Sequence, residues 1–246
     1  MLEINRIYNS DCLEGMKLID DKSIDLILCD LPYGTSACKW DSIIPFDKLW
    51  EQYKRIIKTE GAIVLTASQP FTSLLINSNV PMFKYEWIWK KSKCTGYFDV
   101  QYRPMKQHEN ILVFGFGGVS NCSNPKMNYY PQGTIPLDKS KKRTGKKTDA
   151  TCRSEVVAHG EQTQTNFPKS VLEFSSEGKT VHPTQKPLAL FEYLVKTYTK
   201  EGDLVLDNTC GSGTTCLAAK NTQRNFIGFE NDESYYKIAC NRIGQI

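Results

Sequence analysis

Histidine is scarce, with three in 246 residues, and the nine cysteines contain no CxxC pair and no regular spacing. Zinc ribbons and disulfide scaffolds are thereby disfavoured. Neither a His/Cys/Glu metal set nor a Ser/His/Asp arrangement emerges, so no metal is expected and hydrolysis has no support. The chain also lacks any run of 18 apolar residues and any charged-then-apolar leader. Neither a membrane span nor secretion is expected, and the expected location is the cytoplasm. Strong charge is missing too: 31 Lys and Arg against 27 Asp and Glu give a net charge of +4. That balance permits a nucleic-acid partner without requiring one.

What is present is an alternation of apolar strands and amphipathic helices. Phe46, Leu49, Trp50, Tyr53, Ile56 and Ile57 recur at helical spacing, with Gly61 read as the stop signal, and Ala62 to Thr66 follows as a strand. A short helix around Phe71 to Ile76, strands at 85–89 and 110–114, and helices at 188–198 and 234–243 continue the pattern. Such alternation predicts an α/β fold, a mostly parallel, doubly wound sheet with helices on both faces. Cys29, Cys216 and Cys240 lie in apolar segments and read as small buried hydrophobes. With 246 residues, one α/β domain carrying an insertion is expected.

Two segments carry chemistry. Ile24-Asp25-Leu26-Ile27-Leu28-Cys29 reads as a buried strand, and it ends in Asp30-Leu31-Pro32-Tyr33. A carboxylate, backbone carbonyls near a proline and an aromatic ring can hold a flat heterocycle by its amino group. Ordinary turns also favour Asp and Pro, so the tetrapeptide alone is a weak signal. The second segment is Leu204-Val205-Leu206-Asp207, followed by Asn208-Thr209-Cys210-Gly211-Ser212-Gly213-Thr214-Thr215, a strand and a glycine loop that opens a helix. A P-loop would need a Lys before the Ser/Thr, and a dinucleotide fingerprint a third glycine where Cys216 stands; both are disfavoured. The next strand, Phe226 to Phe229, ends on Glu230, where a ribose diol would be hydrogen-bonded.

On these residues the chain resembles the S-adenosylmethionine-dependent DNA amino-methyltransferases of the beta class, in which the catalytic tetrapeptide precedes the cofactor loop. Asn9-Ser10-Asp11-Cys12, the segment 108–114 and His182-Pro183-Thr184-Gln185-Lys186-Pro187 match as well. Leu31 departs from the commoner proline. The resemblance implies a Rossmann-like methyltransferase fold, S-adenosyl-L-methionine as cofactor and double-stranded DNA as substrate. It implies catalytic roles for Asp30, Pro32 and Tyr33. Cofactor contacts would come from Asp207, Gly211, Gly213, Thr214 and Glu230, with Asp11 and Asp207 on the methionyl portion. Thr215 and Lys186 would contact polar groups of the cofactor or support the loop.

Residues 117–174 break the rhythm, with few apolar repeats, four prolines and a basic cluster over Lys139–Lys147. A charge run is commonly a solvated loop. The alternative is a DNA-contacting insertion, in which Lys141, Lys142 and Arg143 meet phosphates while Arg153 and Gln164 reach base edges; Asn166 is of the same base-reading type. The family places target recognition in this interval. The expected organisation is therefore 1–116 as the catalytic half, 117–180 as the target-recognition insertion and 181–246 as the cofactor half.

In this family Asp at the first catalytic position leans towards adenine, so transfer to adenine N6 in a flipped-out base is the expectation. Cytosine N4 methylation and an inactive nucleic-acid-binding homologue are the alternatives. A homodimer and a restriction endonuclease partner are left open, as is the recognition sequence.

Overall fold

The structure, a computed structural model, describes residues 2–35, 41–144, 159–177 and 185–245. Its strands are β1 (Arg6–Asn9), β2 (Ile24–Asp30), β3 (Ile57–Ala67), β4 (Phe83–Thr95), β5 (Lys106–Phe114), β6 (Ile135–Thr144), β7 (His159–Thr165), β8 (Val171–Phe174), β9 (Leu204–Asp207) and β10 (Asn225–Glu230). The helices are α1 (Cys12–Met16), α2 (Phe46–Ile56), α3 (Phe71–Ser78), α4 (Leu188–Tyr198), α5 (Thr214–Asn221) and α6 (Glu233–Ile243).

The chain forms two compact units, Met1–Tyr130 with Ser170–Ile246, and Pro131–Lys169. The first is built on an eight-stranded sheet in the order β1-β10-β9-β2-β3-β5-β4-β8. All its pairings are parallel except those of β5, which runs opposite to β3 and β4. Side chains alternate across a strand, and β2 shows what this does to an uninterrupted apolar run. Leu26 and Leu28 join a core with Leu190, Phe191, Leu194 and Tyr198 of α4. Ile27 and Cys29 join an opposite core with Leu49, Trp50 and Tyr53 of α2 and Phe71 of α3. A strand covered on both faces needs no polar alternation, which is why its sequence has almost none.

Gly61 is not a helix stop. Strand β3 begins at Ile57, directly after α2, and runs through Gly61. A Cβ there would stand 2.8 Å from the Asp25 carbonyl oxygen and from Ile57 Cδ1. The glycine answers a close approach of β3 to its neighbour, not a chain reversal. Strands β4 and β5 also extend well beyond the apolar segments that announced them, into a long polar hairpin. Trp87 and Trp89 on β4 are core residues, and their indole N–H groups donate to Tyr198 Oη (2.7 Å) and the Phe174 carbonyl (2.9 Å).

The second unit is an antiparallel pair, β6 and β7, with Lys141 opposite Gln162. The basic cluster therefore starts on a strand and not in a loop; the strands were hidden because both carry polar side chains. Asn166, at φ 58°, donates from Nδ2 to the Gly133 carbonyl (2.7 Å), so this amide closes the base of the hairpin. Of the expected insertion 117–180, residues 131–169 make this unit, while β8 belongs to the main sheet. No helix among the described residues is long and apolar enough to cross a membrane.

Candidate active site

Asp30 stands at the carboxyl end of β2, in register with Thr66 on β3. Its Oδ1 accepts from Tyr33 Oη (2.8 Å) and from Thr66 Oγ1. Burial, and then the charge of Asp30, raise the Tyr33 phenol well above its usual pKa, so it remains a donor. The Tyr33 ring stacks on Phe71 with centroids 5.1 Å apart. Asp30 Oδ2 accepts from Lys186 Nζ at 2.5 Å, and Lys186 also lies 3.6 Å from Glu109 Oε2. Glu109 in turn is paired with Lys91. Burial alone would lower the Lys186 ammonium; the charges of Asp30 and Glu109, with the hydrogen bond to Asp30, more than offset it and raise the group above 10.5.

The glycine loop sits beside this cluster because β9 pairs with β2, Ile27 opposite Leu206. Thr209 Oγ1 donates to the Asp30 carbonyl oxygen (3.2 Å) and Thr215 Oγ1 to that of Leu28 (3.3 Å), tying the two motifs together. Gly213 caps α5 at φ 79°, a backbone that favours glycine. Gly211, at φ 52°, donates its N–H to Glu230 Oε2 (2.8 Å), and Asp232 N–H donates to Oε1 (2.9 Å). Burial raises Glu230 above its usual range and pushes Asp207, almost wholly enclosed, up to about 7. Thr214 Oγ1 accepts from Arg242 (3.2 Å), so it braces the loop.

A cavity of about 670 Å³ is lined by residues of both motifs, among them Asp11, Asp30, Pro32, Asp207, Gly211 and Glu230. It is large enough for a small-molecule ligand. Asn208 also lines it; its Oδ1 accepts from Cys29 Sγ and Tyr53 Oη, while its Nδ2 is buried without a partner among the described residues. A Cβ on Gly211 would meet nothing within 4 Å. An orphaned donor and open space beside a glycine loop fit a cofactor with polar groups. Asp11 caps α1, its Oδ1 accepting from the N–H groups of Leu13 (2.8 Å) and Glu14 (3.2 Å). The strand order lines up the acidic residues as Asp11, Glu230, Asp207 and Asp30.

Asp30, Pro32, Tyr33, Asp11, Asp207, Gly211, Thr214 and Glu230 are thus brought to one cavity, with Gly213 one residue behind it. Lys141 and Gln164 are exposed on the second unit, where Lys142 and Arg143 lie opposite Glu161 and Gly160 on the strand pair. Arg153 and His182 lie outside the described residues. His108 is exposed on β5 and joins no catalytic group. No group of three metal-ligating side chains occurs among the described residues.

Lys186 lines the same cavity as the glycine loop, and within it contacts Asp30. Sequence reasoning passed through Thr66, Asn208, Thr209 and Glu109 as members of a strand or a matched segment but gave none of them a role. Thr66 could have been found by setting the ends of two adjacent parallel strands in register. Nothing in the spacing announces that Lys186 reaches 156 residues back to Asp30.

Comparison with known proteins finds relatives along nearly the whole chain. The type II methyltransferase M.HindIII of Haemophilus influenzae is 28% identical, over 98% of this chain and 96% of its own. M1.MboII of Moraxella bovis is 28% identical over 100% and 99%. Among solved structures, the M1.HpyAVI complex with S-adenosylmethionine aligns with a TM-score of 0.62 and 25% identity over 97% of this chain and 98% of that one. The cytosine-N4-specific PvuII DNA methyltransferase shares the fold, with a TM-score of 0.69 and 15% identity over 96% and 85%. The model of the N6_N4_Mtase family, DNA methylase, matches residues 24–241, and the chain belongs to that family.

Proposed function

We propose that the protein transfers a methyl group from S-adenosylmethionine to the N6 amino group of an adenine extruded from duplex DNA. One observation carries the reading: Asp30 and the glycine loop line one cavity, and Asp30 Oδ2 keeps a lone pair beyond the bond from Lys186. When bound, the cofactor supplies an activated methyl group on a sulfonium. The chain's own task is orientation. Asp30 Oδ2 accepts one N–H of the target amine and the carbonyl beside Pro32 accepts the other, so that the nitrogen lone pair turns out of the ring plane. The nitrogen becomes far more acidic as it is alkylated, so Asp30 need not be a strong base. Tyr33 stacks on the base and recovers part of the cost of extrusion.

For the cofactor, Glu230 accepts from the ribose hydroxyls and Asp207 faces the methionyl end. The strand order, with Asp11 on the far side of Glu230 from Asp30, supports giving Asp11 the end remote from the reacting methyl rather than the methionyl portion. Residues 117–180, Lys141, Lys142, Arg143, Arg153 and Gln164 among them, are assigned to DNA contact on charge and side-chain type. Adenine is favoured over cytosine because the first catalytic position is Asp.

The test is to incubate the protein with labelled S-adenosylmethionine and unmethylated DNA, then digest to nucleosides. N6-methyldeoxyadenosine is expected. N4-methyldeoxycytidine would overturn the choice of base, and unlabelled DNA would overturn the reading itself.

A further inference from the structure

We propose that the β4–β5 connection, residues 96–105, is a base-stacking wedge that enters DNA where the target base leaves. The inference rests on the DNA methyltransferase reading and adds an interaction surface to it. Strand β4 runs parallel to β2, since both lie antiparallel to the direction of β5. Its carboxyl end therefore projects from the same edge of the sheet as Asp30. Lys91 and Glu109, joined to Asp30 through Lys186, mark where the hairpin leaves the site. Its strands continue to Thr95 opposite Lys106, four residues or about 13 Å farther out.

The connection is ordered by its own bonds. Gly96 turns the chain at φ 90°, and the Gly96 and Asp99 carbonyls accept from the N–H groups of Asp99 (3.1 Å), Tyr102 (2.9 Å) and Arg103 (3.0 Å). Arg103 and Asp99 also form an ion pair. On this fixed frame Phe98 is 98% exposed, Tyr102 90% and Tyr97 72%, whereas Trp87 and Trp89 on the preceding strand are buried. Three bare rings on an ordered loop mark an interaction site.

Charge selects the occupant. Lys93, Arg103 and Lys106 outweigh Asp99 between residues 92 and 107, giving that stretch two net positive charges. A second copy of the same surface would bring like charges together, whereas a polyanion whose bases offer flat π faces satisfies both the cations and the rings.

The test first maps the methylated site by sequencing treated DNA. Wild type and the double variant Phe98→Ala/Tyr102→Ala are then compared on a duplex carrying that site, and on the same duplex with the target base mispaired. Mispairing lowers the work of extrusion. A wedge predicts a loss in kcat/KM of about tenfold for the variant on the paired duplex. The loss should shrink to less than about twofold on the mispaired one. Calorimetric affinity for S-adenosylmethionine should not change. Unchanged methylation, or an equal loss on both duplexes, overturns the inference, including the case where sedimentation shows the variant disrupting a dimer. If the wild type methylates no DNA, the functional reading fails and the inference falls with it.

Discussion

Lys186 Nζ lies 2.5 Å from Asp30 Oδ2, and both side chains are largely buried. The acceptor carboxylate is therefore one half of an ion pair, already charged and oriented before substrate arrives. Lys186→Met should lower the single-turnover methylation rate by about 100-fold through misorientation of Asp30. S-adenosylmethionine affinity, measured by calorimetry, should change little, because Lys186 is paired with the carboxylate assigned to the acceptor amine. Lys186→Arg should restore part of the rate. A single-turnover rate unchanged in Lys186→Met would show that Lys186 does not hold Asp30 in its working state.

Asp30→Ala should abolish methyl transfer while leaving S-adenosylmethionine affinity nearly intact, because Asp30 is assigned to the acceptor amine. Tyr33→Phe loses one hydrogen bond to Asp30 but keeps the ring, and should cost less than about tenfold in rate. Tyr33→Ala should cost more and weaken binding of the extruded base. Single-turnover kinetics and calorimetry separate these effects; a Tyr33→Phe defect as large as that of Tyr33→Ala would refute the stacking role.

Glu230 accepts from the backbone N–H groups of Gly211 and Asp232 and keeps lone pairs for the proposed diol. Replacement by alanine should weaken cofactor binding at least about tenfold, the scale of a lost hydrogen bond to a charged group. Titration calorimetry checks this, and retained affinity would remove Glu230 from the cofactor site.

Asp207 gives a pH signature. Its carboxyl titrates near 7 in the folded protein, against 3.8 when free, because burial disfavours the charged form. Between those values the unfolded chain binds fewer protons at this position than the folded one, so its contribution to stability falls as pH rises from about 4 to 7 and is flat above. Asp207→Asn should lack this decline, which amounts to a few kcal/mol at most at roughly 1.4 kcal/mol per pH unit. Thermal unfolding of wild type and variant without cofactor, from pH 4 to 8, compares the slopes; parallel curves would contradict the assignment.

On the second unit, replacing Lys141, Lys142 and Arg143 by alanine should weaken binding to all DNA sequences alike. The salt dependence should flatten by roughly one unit of slope per lost phosphate contact. Substituting Gln164 or Arg153 should instead change which sites are methylated. An unchanged salt slope in the triple variant would return the cluster to ordinary solvated surface.

The sequence made the central strands legible because Ile24–Cys29, Leu204–Leu206 and Phe226–Phe229 are short apolar runs bounded by polar residues, and such runs have little choice but burial. It placed Leu188–Tyr198 as a helix with the observed ends. It failed at β6 and β7, whose side chains are mostly polar, and at Gly61, where a contact with another strand mimics a local stop signal. Within the site, Asp30, Asp207 and Glu230 could be picked out because each ends an apolar run. Of the polar groups that fix them, Thr66 needs only the register of two adjacent strands, whereas Thr209 and Lys186 act through contacts set by the assembled sheet.

Strand β9 lies between β10 and β2, yet it is the ninth of the ten strands among the described residues to be synthesised. Until Leu204–Asp207 have emerged from the ribosome, β2 has one edge bare, with Ile24, Leu26, Ile27 and Leu28 on it and no neighbour to take its backbone hydrogen bonds. Unprotected strand edges of this composition template aggregation. Closing the gap pairs Leu26 with Val205, across most of the chain, and contacts of such high order form slowly. The sheet is completed only by β10, which joins β9 to β1, and its last residue, Glu230, also lines the cavity, so the step that closes the sheet is the one that brings Glu230 to the site.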